Sequence, residues 1–267
     1  RIIGDYEGMP PADPTRPVML NLGQGVAWDN YIGRGVRRNH PEDYPQYVKG
    51  CDIASFDIYP AVHDSPEVAG KLEFVARGVE RLLEWTGGTK PVWNCIECTH
   101  IGNPSVKPTP QQVRSEVWMS LIRGSRGLIY FVHQFKPSFQ EAALLKDPEM
   151  LAAITAINAE IQELAPVLNS TPLADAVECE SSPKDTQIAF VAKQHRGMLH
   201  VFAVNLRNAR AEATFRLRKG SETAETEVIG EKRTVPIRNH TFSDSFAPYE
   251  VHLYRMAGSK QAQDKAK

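Results

Sequence analysis

The sequence has few of the features that place a chain of 267 residues in a specialised class. Four cysteines are too few for a disulfide framework, and Cys95 and Cys98 supply only two of the four ligands of a structural zinc site. No apolar run approaches the roughly 18 residues that would suggest a membrane span. A formal net charge of -1 gives no electrostatic footprint for nucleic acid or an anionic membrane. We therefore expect no metal, no cofactor, no nucleic-acid partner and no membrane partner.

The chain begins with Arg1 rather than methionine, and no signal peptide is visible. We interpret this as a missing beginning, so the compartment, secreted or cytoplasmic, stays open. At 42% hydrophobic residues the chain can form a real core, as one barrel or as two smaller domains.

Four strand-like apolar runs alternate with helical patterns between residues 17 and 168. The runs cover residues 17–24, 51–60, 90–98 and 127–134. Their ends carry hydrogen-bonding side chains, namely Gln24, Asp57, Tyr59, Glu97, His133 and Gln134. Polar side chains at the carboxyl ends of apolar strands are the pattern of the active-site face of a parallel β/α barrel.

Helical patterns follow the runs at residues 41–49, 67–85, 109–123 and 148–164. Ser65 and Thr109 are the expected N-caps of the second and third helices, each followed by a proline at the first helical position. Strands and helices that alternate at short spacing predict a parallel sheet with helices outside. Four such units are half of the eight that close a common barrel.

The pattern changes after Pro166, where the long helical period ends and short alternating runs begin. These runs cover residues 186–193, 198–205, 212–217 and 251–254. They predict a small antiparallel β-sandwich. The predicted fold class is therefore α/β, with a half TIM barrel over residues 1–170, a β-sandwich over 171–256 and a polar tail over 257–267.

Glu97 is the candidate catalytic residue, because an ionised carboxylate at the end of an apolar strand is costly unless something pairs with it or uses it. Glycoside hydrolysis uses two carboxyl groups, and Glu97 suits the role of nucleophile or base. The structural alternative is an ion pair with Arg34, Arg37 or Arg38.

Other polar and aromatic residues near the strand ends are candidates for holding a sugar. The predicted substrate-binding residues are Gln24, Trp28, Asp57, Tyr59, His100, His133 and Gln134. For Trp28, stacking on a sugar ring and ordinary loop packing are equally open. Trp93 and Phe131 are expected to belong to the core.

Several segments together resemble a known family. They are residues 13–17, the strand ending at 55–60, the strand 93–97, and residues 114–118 with the strand 127–131. They resemble the last four units of retaining glycoside hydrolases of clan A, of the β-galactosidase and cellulase type. The resemblance covers about residues 13–256, including the trailing sandwich. It implies that Glu97 is the nucleophile, while the acid/base glutamate of the fourth strand has no match.

The sequence therefore predicts a fragment of a retaining glycoside hydrolase that carries the nucleophile and lacks the acid/base half. Its expected partners are a carbohydrate substrate and either a second copy or an amino-terminal half-barrel. One alternative is a non-catalytic carbohydrate-binding or structural relic. A second alternative is a metal-dependent barrel hydrolase that uses His63, His100 and His133.

Overall fold

The computed structural model describes residues 2–13, 15–34, 36–218 and 223–258, with the backbone alone for residues 9–12. Most of the predicted polar tail, residues 259–267, lies outside the described residues. The chain divides into two compact units, residues 1–151 and 152–267.

The first unit contains a four-stranded parallel sheet in the order β1-β2-β3-β4. Its strands are β1 (Met19–Asn21), β2 (Ile53–Asp57), β3 (Val92–Glu97) and β4 (Gly127–Phe131). Asp57 lies opposite Cys95 on the neighbouring strand, and Glu97 lies opposite Phe131. The parallel arrangement of the four predicted runs, with their carboxyl ends at one edge, is confirmed.

The helices are α1 (Ile2–Ala12), α2 (Tyr44–Tyr47), α3 (Glu73–Trp85), α4 (Pro110–Ile122) and α5 (Pro148–Leu168). Short 3₁₀ turns cover Gln24–Val26, Pro41–Asp43, Val48–Gly50 and Ala143–Lys146. Thr109 caps α4 as predicted, in a capping box with Gln112.

Helix α3 begins at Glu73, six residues later than the pattern predicts, and Ser65 does not cap it. The backbone N–H groups of Val68 and Ala69 do bond to the carbonyl of Ser65, which forms one isolated turn. Gly70 ends that turn because it adopts a φ of 75°, in the left-handed region.

The two faces of the parallel sheet carry different side chains. Phe56 packs against α3 so closely that a Cβ added to Gly78 would lie 2.1 Å from its ring. Asn94 donates from Nδ2 to the Ser120 hydroxyl of α4 at 2.8 Å. Asp57 alternates with Phe56 along β2 and therefore points away from the helices.

The second unit contains two antiparallel sheets, in the orders β10-β9-β12-β7-β6 and β11-β8-β5. Their strands are β5 (Val177–Ser182), β6 (Ile188–His195), β7 (Met198–Asn205), β8 (Ala211–Leu217), β9 (Glu225–Val228), β10 (Arg233–Pro236), β11 (Thr241–Phe246) and β12 (Val251–Ala257). One buried apolar cluster includes Phe215 and Phe242 of the smaller sheet and Val201 and Tyr254 of the larger sheet. The predicted runs correspond to β6, β7, β8 and β12, and the other four strands were not predicted.

Helix α5 is long and apolar enough to cross a membrane by length and composition alone, although it carries the charged residues Glu149, Glu160 and Glu163. Its buried residues are Met150, Ile154, Ile157, Leu164 and Val167. They follow helical spacing and form one stripe, which is the pattern of an amphipathic helix packed on a core.

Candidate functional site

A cavity of about 500 Å³ opens at the carboxyl ends of the parallel strands. It is lined by Gly23, Gln24, Tyr31, Arg34, Asp57, Tyr59, Val62, His63, Asp64, Ile101, Gly102, Phe131 and Phe135. Three of the predicted substrate-binding residues, Gln24, Asp57 and Tyr59, meet there. We call this space the strand-end cavity.

Asp57 supplies a carboxylate to the strand-end cavity. Its Oδ1 accepts a hydrogen bond of 2.7 Å from Asn21 Nδ2, at the end of the adjacent strand β1. Gly23 has a φ of 70°, and a Cβ there would lie 4.0 Å from Asp57 Oδ1. Asp57 is therefore held from one side and remains partly exposed on the cavity side.

Tyr59 and Cys95 form a neutral pair beside Asp57. Burial raises the pKa of Tyr59, and burial, with the nearby charge of Asp57, raises the pKa of Cys95 to about 11. The phenol and the thiol are hydrogen bonded and both keep their protons at neutral pH. All four cysteines of the chain are free thiols.

Gln24 and His63 form a second polar group on the cavity wall. His63 Nδ1 accepts the backbone N–H of Ser65 at 2.9 Å, so the ring proton lies on Nε2, 2.9 Å from Gln24 Oε1. Burial lowers the pKa of His63, which favours this neutral form. Because its oxygen accepts from His63, the Gln24 amide directs its NH₂ group toward other acceptors.

Aromatic rings form an apolar wall of the cavity. The ring centroids of Tyr59 and Phe131 lie 5.4 Å apart, and those of Phe131 and Phe135 lie 5.7 Å apart. Phe131 was expected in the core, but it is only half-buried and lines the cavity. The reason is that Phe131 is the last residue of β4, an edge strand for which β3 is the one partner among the residues with described positions.

The other predicted substrate-binding residues do not line the cavity, and their role in sugar binding stays a prediction. Trp28 donates from Nε1 to Glu67 Oε2 at 2.8 Å and meets the ring of His63 edge-on. His100 contacts the carbonyl of Asn103 at 3.4 Å.

His133 and Gln134 are engaged in the loop after β4. His133 Nδ1 accepts the backbone N–H of Ala142 at 3.2 Å. The backbone of Gln134 exchanges two hydrogen bonds with that of Gln140.

The three histidines of the metal-dependent alternative do not converge. The rings of His63, His100 and His133 each contact a backbone group within their own loop. In the described part of the chain, no group of three or more His, Cys, Asp or Glu side chains is arranged to hold a metal ion. These residues do not support a metal centre at the strand ends.

Glu97, the predicted nucleophile, is fully buried and does not line the strand-end cavity. Its Oε1 accepts the backbone N–H of Ala61 at 2.6 Å, and its Oε2 accepts that of Val62 at 2.9 Å. Both oxygens of Glu97 are therefore satisfied by backbone amides rather than by another side chain at the strand ends. No arginine among the described residues pairs with Glu97, and Arg37 pairs with Asp43 instead.

Glu116 on α4 places a second carboxyl group beside Glu97, which the sequence analysis did not predict. Glu116 is also fully buried. Burial raises the pKa of both groups, and the charge of Glu97 raises that of Glu116 further. The sequence did contain a signal for a buried acid on α4. The helical spacing of Val113, Glu116, Val117 and Ser120 puts Glu116 on the buried stripe of that helix.

Comparison with solved structures relates this fold to that of glycoside hydrolases. The chain is similar to CelM2, a bifunctional glucanase-xylanase from a metagenome library, with 12% identity and a TM-score of 0.51 over 97% of this chain and 59% of that one. It is also similar to AmyB, a noncanonic maltogenic α-amylase from Thermotoga neapolitana, with 8% identity and a TM-score of 0.50 over 80% of this chain and 53% of that one. The chain thus spans little more than half the length of either protein.

No protein-family model and no curated protein sequence matches the chain. The comparisons therefore show a glycoside-hydrolase-like fold, with a parallel four-stranded sheet and antiparallel sheets.

Proposed function

We propose that this chain is the carboxyl-terminal part of a retaining glycoside hydrolase of clan A, with a half barrel followed by a β-sandwich. The half barrel is supported by four parallel strands in which β1 and β4 each pair on one side only, as far as the structure describes the chain. The sandwich over residues 171–256 is supported by two antiparallel sheets whose side chains share one buried cluster.

The strand-end cavity is the observation that carries this proposal. A sugar ring has hydroxyl groups around its edge and apolar C–H groups on its faces. The carboxylate of Asp57, the phenol of Tyr59 and the amide of Gln24 suit the hydroxyl groups, and the rings of Phe131 and Phe135 suit the faces. A volume of about 500 Å³ is of the size that small-molecule sites have.

Glu97 is the proposed nucleophile of the completed enzyme, on the basis of its place at the end of β3 and the family resemblance. To attack a sugar in the cavity, its carboxylate has to leave the amides of Ala61 and Val62. An amino-terminal half-barrel would supply the acid/base, for which this chain has no match. Water activated by that acid/base would then hydrolyse the glycosyl ester.

The burial of Glu97 favours a second candidate function, which is carbohydrate binding without hydrolysis. In the described structure the carboxylates that line the cavity are those of Asp57 and Asp64, while both oxygens of Glu97 bond to the backbone. A chain in this state holds a sugar but presents no free nucleophile on β3.

Turnover of aryl glycosides by an enzyme completed with an amino-terminal half-barrel separates the two candidates. For a nucleophile, Glu97→Gln should lower kcat by at least about 10⁴-fold, because the amide forms no ester. Glu84→Gln, an exposed change on α3, is the matched control. Equal rates for Glu97→Gln and wild type would remove Glu97 from the mechanism, and sugar binding without turnover would favour the second candidate.

A further inference from the structure

The carboxyl groups of Glu97 and Glu116 form a buried pair that lies outside the strand-end cavity but is connected to it through the chain. Val62 donates its backbone N–H to Glu97, and the same residue lines the cavity. His63 and Asp64 follow directly and line it too. The position of Glu97 therefore fixes one wall of the cavity.

The geometry of the pair requires a proton. Both oxygens of Glu97 accept backbone N–H groups, which identifies Glu97 as the ionised partner. Both oxygens of Glu116 are buried and have no hydrogen-bond donor within the described chain. An ionised carboxylate only accepts hydrogen bonds, so two ionised groups in contact would repel, whereas a protonated Glu116 donates to Glu97.

We propose that Glu116 is a positioning residue that retains one proton at neutral pH and shares it with Glu97, so that the pair clamps the Ala61–Val62 backbone and opens when the proton leaves. With the proton present, Glu97 accepts three hydrogen bonds and holds the loop. With the proton gone, two negative charges occupy one buried site, and one carboxylate has to move toward water. Movement of Glu97 releases Val62, His63 and Asp64 from the cavity wall.

The other ionisable groups that face the pair are neutral at the same pH. Burial raises the pKa of Cys98, directly after β3, to about 12, and it raises that of Tyr59, after β2. Asp147 acts on Cys98 and is paired with Lys107. Among the described residues that face the pair, the two glutamates are therefore the groups whose titration changes the charge of this buried region.

Amide hydrogen exchange at Ala61 and Val62 tests the clamp without any sugar. In the wild-type chain the protection factors should fall as the pH rises through the pKa of Glu116, which burial and the charge of Glu97 raise well above that of an exposed glutamate, by up to tenfold for each unit of pH above that pKa. Glu116→Gln cannot lose a proton, and its amide can donate to Glu97 at every pH, so its protection should stay constant. Glu84→Gln should behave as the wild type.

Glu97→Gln gives the complementary result. Its NH₂ group faces an N–H donor in either orientation, so protection of one of the two amides should be lost at every pH. Carbon-detected NMR of the wild-type Glu116 carboxyl provides a readout that needs no variant, and it should show no titration between about pH 4 and about pH 6.

Titration of Glu116 at the pH of an exposed glutamate would overturn the proposal. So would an identical fall of protection in the wild type and Glu116→Gln. Any effect of the clamp on sugar affinity rests on the function proposed above. A sugar affinity that falls with pH in parallel with the protection factors would show that the clamp also controls ligand binding. If the chain binds no sugar but the protection factors still depend on pH as expected, the proposed function would be contradicted and the clamp would not.

Discussion

Asp57, Glu97 and His252 show how the surroundings of an ionisable side chain determine its role. Asp57 is half-buried and faces a cavity, Glu97 is fully buried against backbone amides, and His252 is buried among charged groups. Asp57 and Glu97 were predicted as site residues from the sequence because each lies at the end of a strand. Whether such a side chain faces a cavity or turns into the protein depends on the loop that covers it, here Ala61–Val62, and periodicity does not report that.

His252 on β12 belongs to a charged network in the second unit. Its Nδ1 lies 2.5 Å from Glu231 Oε1, and its Nε2 lies 3.1 Å from the Ser245 carbonyl and 3.4 Å from Glu250 Oε2. Both ring nitrogens face acceptors, which favours the doubly protonated ring, and the Arg233 guanidinium also lies 3.3 Å from Nδ1. Burial lowers the pKa of His252, but the hydrogen bond and charge of Glu231, with Asp244 and Glu250, outweigh it and raise the pKa overall.

We predict that His252 makes the stability of the chain depend on pH. The folded-state pKa is raised, so the stabilisation is complete below about pH 6.5, the unfolded value, and is lost as the pH rises through the folded value. Urea unfolding should show that His252→Gln lowers the free energy of unfolding most near about pH 5.5 and progressively less toward about pH 9. His195→Gln, on the adjacent hairpin, is the control. If His252→Gln lowered the free energy of unfolding equally at every pH, the His252 ring would be neutral in the folded chain.

Helices and strands were predicted best where the hydrophobic pattern agrees with the capping or turn residues at the ends of the element. Thr109, Pro110 and Gln112 mark the start of α4, and Gly197 marks a hairpin in which Arg196 also has a positive φ. The start of α3 was displaced because the left-handed φ of Gly70 interrupts an otherwise helical pattern. Strands β9 and β10 have four residues each and were missed because so short an alternation hardly differs from a polar loop.

The edge strands β1 and β4 lead to a prediction about association. Within the described residues each pairs on one side only, and exposed apolar side chains lie on or near them, including Met19 at 44% and Phe139 at 64% exposure. Unpaired edges and apolar surface favour association. Light scattering should show that the chain self-associates with rising concentration.

Met19→Lys should shift that equilibrium toward the monomer, because it places a charge on the β1 edge where the side chain is already exposed. Thr214→Lys, on the partly exposed face of β8, is the control. A monodisperse wild-type monomer that melts cooperatively would count against the half-barrel proposal.

For the molecule as a whole, the sequence predicted the order of layers, with alternating strands and helices followed by short strands. That order follows from hydrophobic periodicity, which each segment carries by itself. The predicted domain boundary at residue 170 stays a prediction. The division of the chain into two compact units falls between Leu151 and Ala152, within α5. The hydrophobic periodicity of the four strands does not report whether their parallel sheet belongs to a barrel, because closure depends on pairing at the sheet edges.

Calorimetric titration of the chain with maltotriose, cellotriose and xylotriose tests whether the strand-end cavity binds sugar. At least one of these should bind. Asp57→Asn should weaken that binding roughly tenfold to a hundredfold, because a hydrogen bond to a charged group contributes about 1.5–3 kcal/mol. Asp175→Asn, an exposed change in the second unit, should bind as the wild type does. Equal affinity of Asp57→Asn and wild type, or no binding of any of the three sugars, would contradict the account.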